Sequence, residues 1–192
     1  MAHIYIALVD TPGLFACLIR GHLKQKYIHV VLSMDAELEE AYSVGRRNPF
    51  IPIIAGFERE NKRRVLGAFP TAEYMICRLE VTERQKEQIR ERLHSDYQKR
   101  FHYHYAVIGL LPLVLGKAFY QKGHFTCSSY IAMILEEAGI IIADKHFSLV
   151  TPKDFYHYPD KTCIYEGTLA ELIARSGAKK YGVAELKIGG GL

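Results

Sequence analysis

The stretch that most constrains this chain is residues 123–139, GHFTCSSYIAMILEEAG, where a loop turns into a helix with a cysteine in its first turn. Apolar residues from Ile131 onward recur at the spacing of one helical face, and Gly139 is a plausible stop just after them. Thr126 is the expected N-cap. Cys127 then projects from the helix end that carries unpaired backbone N–H groups and the positive pole of the dipole. A thiol held there has a lowered pKa and is a candidate nucleophile.

The same cysteine also fits a purely structural role. It shares a helical face with Ile131 and Ile134, and free cysteines are among the most buried side chains in proteins. The stretch alone leaves both roles open, so the rest of the chain has to decide between them.

Length and composition predict a single domain over residues 1–192, since 49% of the residues are hydrophobic and 24% are charged. The formal charge is only +4, and the basic residues of 58–64 and 82–100 are mixed with acidic ones. This pattern is typical of solvated surfaces, so we expect no nucleic-acid partner. The four cysteines form no CxxC pair, and we expect no disulfide framework, no metal and no cofactor.

We expect a cytoplasmic location. The first 20 residues lack the basic leader and apolar run of a signal peptide. The longest apolar run, 106–116, is too short to span a bilayer and contains Pro112, so no integral membrane segment is expected. A reducing compartment suits a free thiol. Oligomeric state stays open.

A strand over 26–35 carries the histidine best placed to serve the cysteine. Its alternation puts the aliphatic row of Val30 and Leu32 on the core face and His29 on the opposite face. A second short strand around 41–44 follows after an acidic loop, so the two strands are expected to be antiparallel and to lay a side chain beside His29. An imidazole next to a helix-terminal cysteine accepts the proton of the thiol or pairs with the thiolate.

The remaining elements follow from local signals. Thr82 with Gln85 is a capping box that predicts a helix to about Lys99. Two prolines in 48–60 favour an irregular loop. We expect strands at 3–10, 73–81 and 161–167, helices at 14–24 and 168–177, a loop leading into a short helix at 101–120, and loop with short helical turns at 140–159.

Taken together, these segments resemble the permuted papain-like cysteine hydrolases, which are circularly permuted relatives of the NlpC-type cell-wall amidases. Ordinary papain-like enzymes place the cysteine helix before the histidine strand, whereas this chain has the histidine first, as the permuted group does. The resemblance rests on YIHVVLSMD (27–35), AYSVGR (41–46), GFERE (56–60), FTCSSYIAMILEEAGI (125–140) and IYEGTL (164–169).

The resemblance implies an α+β, circularly permuted papain-like fold, in which an antiparallel sheet packs against the helix that bears Cys127. Cys127 would be the nucleophile and His29 the general base of a thiol hydrolase that cleaves an amide or peptide-like bond in a small-molecule or peptide-like substrate. Ser43 is the expected third catalytic residue by position, and Glu60 is the alternative if its loop folds back. The expected substrate contacts are Tyr42, Arg46 and Glu60.

Three other functions stay open on the sequence. An acyltransferase or lipid hydrolase resembling the lecithin retinol acyltransferase group shares the permuted order. A catalytically silent module could hold an acyl chain or peptide in the same groove. A zinc site is conceivable from His102, His104, His124 and Cys127, although their spacing matches no established zinc pattern.

Overall fold

An eight-stranded sheet organises the chain in its computed structural model, which describes residues 1–12, 21, 24–48, 51–106 and 118–180, without the side chains of 46–48, 51–54 and 178–180. Neighbouring strands are antiparallel except for one parallel pair, β6 and β7, and the order across the sheet is β7-β6-β4-β3-β2-β1-β5-β8. The strands are β1 Ala2–Asp10, β2 His29–Ser33, β3 Ala41–Asn48, β4 Ile51–Arg59, β5 Glu73–Val81, β6 His104–Tyr105, β7 His124–Phe125 and β8 Thr162–Thr168.

Five α-helices complete the described part of this mixed α+β chain, and their caps follow the sequence signals. Thr82 and Gln85 form the predicted capping box, and the Thr126 side chain accepts from the backbone N–H of Ser129. Gly139 has a φ of 79°, the left-handed conformation that favours glycine after a helix. The helices are α1 Lys62–Ala68, α2 Glu83–Gln98, α3 Cys127–Glu137, α4 Pro152–His157 and α5 Leu169–Lys180, with 3-10 turns at Arg100–His102 and Phe147–Leu149.

One face of the sheet packs against α2 and α3. Ile89 and Leu93 of α2 join Ile131 and Leu135 of α3 in one cluster with the inward residues of β1, β2 and β3. Burying this apolar row stabilises the fold by roughly 1.5–3 kcal/mol for each large side chain. The cysteine helix is therefore fixed against the strand that carries His29.

The opposite face of the sheet, which carries His29, is also covered. Val31 is 2% exposed and belongs to a second cluster with Ile76 of β5. Leu169 and Leu172 of α5 lie in the same cluster, and α1 packs against it. Because this face is covered, the buried hydroxyl of Ser43 needs hydrogen-bond partners within the protein, which constrains its geometry.

The segment 48–60, expected as an irregular loop, is instead largely strand β4. It pairs with β3 along its length but with β6 only through Gly56 and His104. The β3–β4 register shifts between Arg46 and Asn48. A proline is tolerated at a sheet edge or an irregularity because its missing N–H is not required there. Pro52 therefore does not exclude a strand.

Helix α1 was not anticipated, because it buries no residue fully and so shows no strong apolar periodicity. Its signal is Asn61, whose side chain caps the backbone N–H of Arg64. The predicted helix at 14–24 and the apolar run 106–116 fall mostly on residues outside the described ranges. Where the chain is described, no helix has the length and apolar character needed to cross a membrane.

Tyr130→Phe is expected to lower the free energy of unfolding by about 1–2 kcal/mol. The Tyr130 hydroxyl donates to Oδ2 of Asp96 over 2.9 Å, and Asp96 is only 4% exposed, so the variant leaves a buried carboxylate short of one donor. Urea unfolding measures the loss. Tyr156→Phe, at a 36% exposed tyrosine, is the control and should change stability by less than about 0.5 kcal/mol. Equal effects in both variants would show that the Tyr130–Asp96 bond contributes nothing.

Candidate active site

Cys127 is the first residue of α3, directly after its N-cap Thr126. It is 5% exposed, and its sulfur accepts from the backbone N–H groups of Val30 and Ser128. Burial alone would raise the pKa of the thiol, but the charge and hydrogen bond of His29, together with these two N–H groups, lower it. These contacts therefore shift the equilibrium from the thiol toward the thiolate.

The Val30 N–H is available because β2 and β3 pair only over part of their length. In the described chain the β2–β3 register joins Leu32 to Tyr42 and Ser33 to Ala41, which leaves the start of β2 without a β3 partner. The first turn of α3 contacts β2 where β2 lacks a β3 partner, at Val30. A buried N–H without a hydrogen-bond partner destabilises the fold. The bond from the Val30 N–H to the sulfur therefore has two effects: it gives this N–H a partner, and it stabilises the thiolate.

His29 connects the cysteine to two polar side chains. Its ring is within hydrogen-bonding reach of Cys127, while its Nε2 lies 3.2 Å from Oγ of Ser43 and 3.5 Å from Oε1 of Glu60. The His29 side chain is 26% exposed, so the pair is open to solvent on the imidazole side.

Ser43 and Glu60 form the far end of this row. The Ser43 hydroxyl donates to Oε1 of Glu60, which leaves the serine oxygen free to accept from the His29 Nε2–H. The backbone N–H of Glu60 donates to the carbonyl of Ala41 over 2.8 Å, and this bond folds the end of β4 back beside β3. The loop closure required for Glu60 to reach His29 is therefore present.

The charges in the row support one another. Burial alone would lower the pKa of His29, but the Cys127 thiolate and the Glu60 carboxylate raise it to about 10. Burial alone would raise the pKa of Glu60, yet the hydrogen bond and charge of His29 and the Ser43 hydroxyl hold it below its usual value. The charged forms of Cys127, His29 and Glu60 therefore stabilise one another.

Gly45 keeps space beside the imidazole, a role that the sequence did not reveal. A Cβ at this position would lie 3.1 Å from Cε1 and 3.5 Å from Nε2 of His29. We expect Gly45→Ala to displace the ring and lower kcat/KM about 10-fold. Gly67→Ala is the matched control, because a Cβ there meets nothing within 4 Å. If both variants turn over a common substrate equally well, the packing of Gly45 does not position His29.

Of the expected substrate contacts, Tyr42 is corrected by its position. It follows Ala41 on β3 and points to the face opposite Ser43, where it is 3% exposed and stacks on Phe57. A side chain buried in that core does not reach a substrate at Cys127. The backbone of Arg46 pairs with Ala55, but its side chain lies outside the described part. Its role in substrate binding stays a prediction.

The residues considered for zinc do not come together. His104 and His124 are adjacent, with ring centroids 5.2 Å apart, but Nδ1 of His102 faces the carbonyl of Lys99 and Cys127 faces His29. Across the described residues, no three histidine, cysteine or acidic side chains are grouped so as to hold a metal ion.

Comparison with known proteins adds no assignment: no family model, no curated protein and no solved structure matches the chain. The geometry of the site therefore carries the functional argument.

Proposed function

We propose that the chain is a thiol hydrolase that cleaves an amide or peptide-like bond through an acyl-enzyme on Cys127. The observation that carries this proposal is the continuous row from the sulfur of Cys127 through His29 to Ser43 and Glu60. A nucleophile, a base and a group that orients the base are the three parts that covalent acyl transfer needs. We propose the cytoplasm as the compartment, where the thiol stays reduced.

The proposed fold is the circularly permuted papain-like one. This fold is supported by the order of the elements along the chain. Strand β2 with His29 comes first, β3 with Ser43 follows, β4 ends just before Glu60, and the cysteine helix α3 comes after them. The helix packs against β2 and β3, so its N-terminus reaches the histidine from the core side.

In the proposed reaction the Cys127 thiolate attacks the substrate carbonyl carbon and forms a tetrahedral intermediate. The backbone N–H of Cys127, in the first turn of α3, donates to the developing oxyanion. Protonated His29 then gives its proton to the leaving amine as the C–N bond breaks. Neutral His29 next takes a proton from water, which attacks the thioester and releases the acid and the thiolate. Through both steps the row to Glu60 fixes the ring orientation.

An acyl-transfer or lipid-hydrolase activity is the second candidate, and one observation favours it. Phe119 and Tyr120 are 42% and 45% exposed, and Tyr120 packs on Phe125, two residues before Cys127. Tyr120 also contacts Phe147, so an aromatic surface adjoins the cysteine helix. An apolar acyl group would bury part of that surface. The two candidates share the acyl-enzyme and differ in the acyl group and the acceptor.

The pH dependence of iodoacetamide alkylation tests the proposal, with peptide mapping to separate the cysteines. We expect Cys127 to react with an apparent pKa well below about 8.5, and His29→Ala to raise that pKa. The exposed thiol of Cys163 is the internal reference in each sample. If Cys127 is inert or titrates like Cys163 in both proteins, the enzymatic proposal fails and a silent binding module replaces it.

Mass spectrometry after incubation with acyl p-nitroanilides and p-nitrophenyl esters of increasing chain length separates the two candidate functions. Faster acylation by short peptide-like anilides supports the amidase, and a steep gain with chain length supports the lipid alternative. In both cases the adduct must map to Cys127.

A further inference from the structure

A pair of thiols lies outside the candidate active site, on β5 and on β8 at the end of the sheet. Cys77 and Cys163 are partners in the β5–β8 register, and both are free. Cys77 is 0% exposed, whereas Cys163 is exposed. One buried and one accessible thiol therefore occupy directly opposed positions on two antiparallel strands.

An irregularity in β8 creates this opposition. Ile76 pairs with Tyr165, so an unbroken register would place Ile164 opposite Cys77. The register instead shifts between Ile76 and Cys77, which brings Cys163 opposite Cys77. A one-residue shift exchanges the faces of a strand, so the irregularity turns the Cys163 thiol to the face of Cys77.

The spacing of opposed strand residues suits a disulfide. Directly opposed residues of antiparallel strands have Cα atoms about 4.5–5.5 Å apart, within the roughly 4.4–6.8 Å that a disulfide spans. Cys163 is also one of the neighbours that raise the pKa of Cys77, as a thiol close to it would. Little backbone movement is needed to join them.

We infer that Cys77 and Cys163 are a modification site, at which a peroxide converts the dithiol to a cross-strand disulfide. The accessible Cys163 thiolate attacks hydrogen peroxide, becomes a sulfenic acid and releases hydroxide, which is protonated to water. The Cys77 sulfur attacks that sulfenic sulfur, the S–S bond forms, and the oxygen leaves as a second water. The thiols lose two electrons and two protons, and the peroxide is reduced to two waters.

The roles of the two thiols follow from their environments. Burial and the neighbouring Cys163 raise the pKa of Cys77 to about 12, which makes Cys77 the slower, resolving partner. Cys163 donates to the carbonyl of Tyr165 over 3.5 Å and is open to solvent. The first attack on peroxide therefore falls to Cys163.

Peroxide treatment of the full chain in a Cys127→Ala background tests the inference without interference from the catalytic thiol. We expect mapping to find one linked peptide pair containing Cys77 and Cys163, reversed by dithiothreitol. We also expect the disulfide to raise Tm by about 5–15 °C, since it closes a long loop. The matched control combines Cys163→Ser with Thr162→Cys, which keeps the thiol count but moves the thiol to the other face, and it should form no link.

Two results would overturn the inference. In one, Cys163 is oxidised to a sulfinic acid while Cys77 is recovered as a free thiol after denaturation. In the other, the control links to Cys77 as readily as the parent. Neither result bears on the hydrolase proposal, because the catalytic thiol is absent from both proteins.

Discussion

Cys127→Ala should reduce the turnover of any substrate that acylates the wild-type chain by about 10⁴-fold or more, to the level of residual binding and oxyanion stabilisation. In the proposed reaction the thiolate is the only group in the row that forms a bond to the substrate, so no other side chain would replace it. The alanine side chain is smaller and apolar, and Cys127 is buried, so the fold should persist. Steady-state kinetics measures the loss, and circular dichroism verifies the fold.

His29→Ala should give a loss of similar size, and the double variant should lose little more than either single one, because the two residues act as one unit. Cys163→Ser is the matched control, since it removes an exposed thiol on the distant strand β8 and should retain full activity. Full activity in Cys127→Ala, or multiplied losses in the double variant, would contradict the assignment of the pair.

Glu60→Gln should lower kcat by about 100-fold while changing KM little, because Glu60 acts on the imidazole and not on the substrate. The amide still accepts from Ser43, but it lacks the charge that holds the imidazolium. The Glu60 carboxylate also interacts through its charge with Arg64 and Tyr74. Because its loss affects these neighbours too, the variant must be shown to be folded. Glu39→Gln is the charge-matched control, since its side chain is 74% exposed and lies outside the row.

The pH profile distinguishes this positioning role from a structural one. The imidazolium is required as the proton donor, so wild-type activity should fall on the alkaline side as pH rises through the pKa of His29, about 10. Glu60 is one of the groups that raise this pKa, so its loss should move the alkaline limb to lower pH by about one unit or more. If the limb stays in place while kcat falls, Glu60 supports the fold and does not tune His29.

The parts of the site that depend on local signals could be predicted from the sequence. Thr126 and Gly139 bound the cysteine helix by cap chemistry, and alternation along β2 separated His29 from the aliphatic row. Strand pairing predicted only that the next strand places a side chain beside His29, and the family resemblance implied Ser43 for that position; the structure places its hydroxyl 3.2 Å from Nε2 of His29. These inferences need only neighbours within a few residues or one hairpin.

The other parts depend on long-range geometry and could not be predicted in the same way. Glu60 reaches the row because β4 pairs with β3 despite Pro52, and that pairing is decided by tertiary context. Gly45 matters because it has no side chain to displace the His29 ring. Val30 takes part through its backbone N–H, which every residue except proline carries. The amino-acid type at a position does not indicate such roles, because they do not depend on the chemistry of a side chain.

The separation of the row along the chain has a consequence for the order of folding. His29, Ser43 and Glu60 come from consecutive strands and need only short loops to close, whereas Cys127 arrives from a helix far later in the sequence. Short-range contacts form with less loss of chain entropy than long-range ones. The imidazole and its carboxylate should therefore assemble early, and the thiol should become reactive only when α3 docks. A partly folded chain would therefore carry an ordinary, less reactive cysteine.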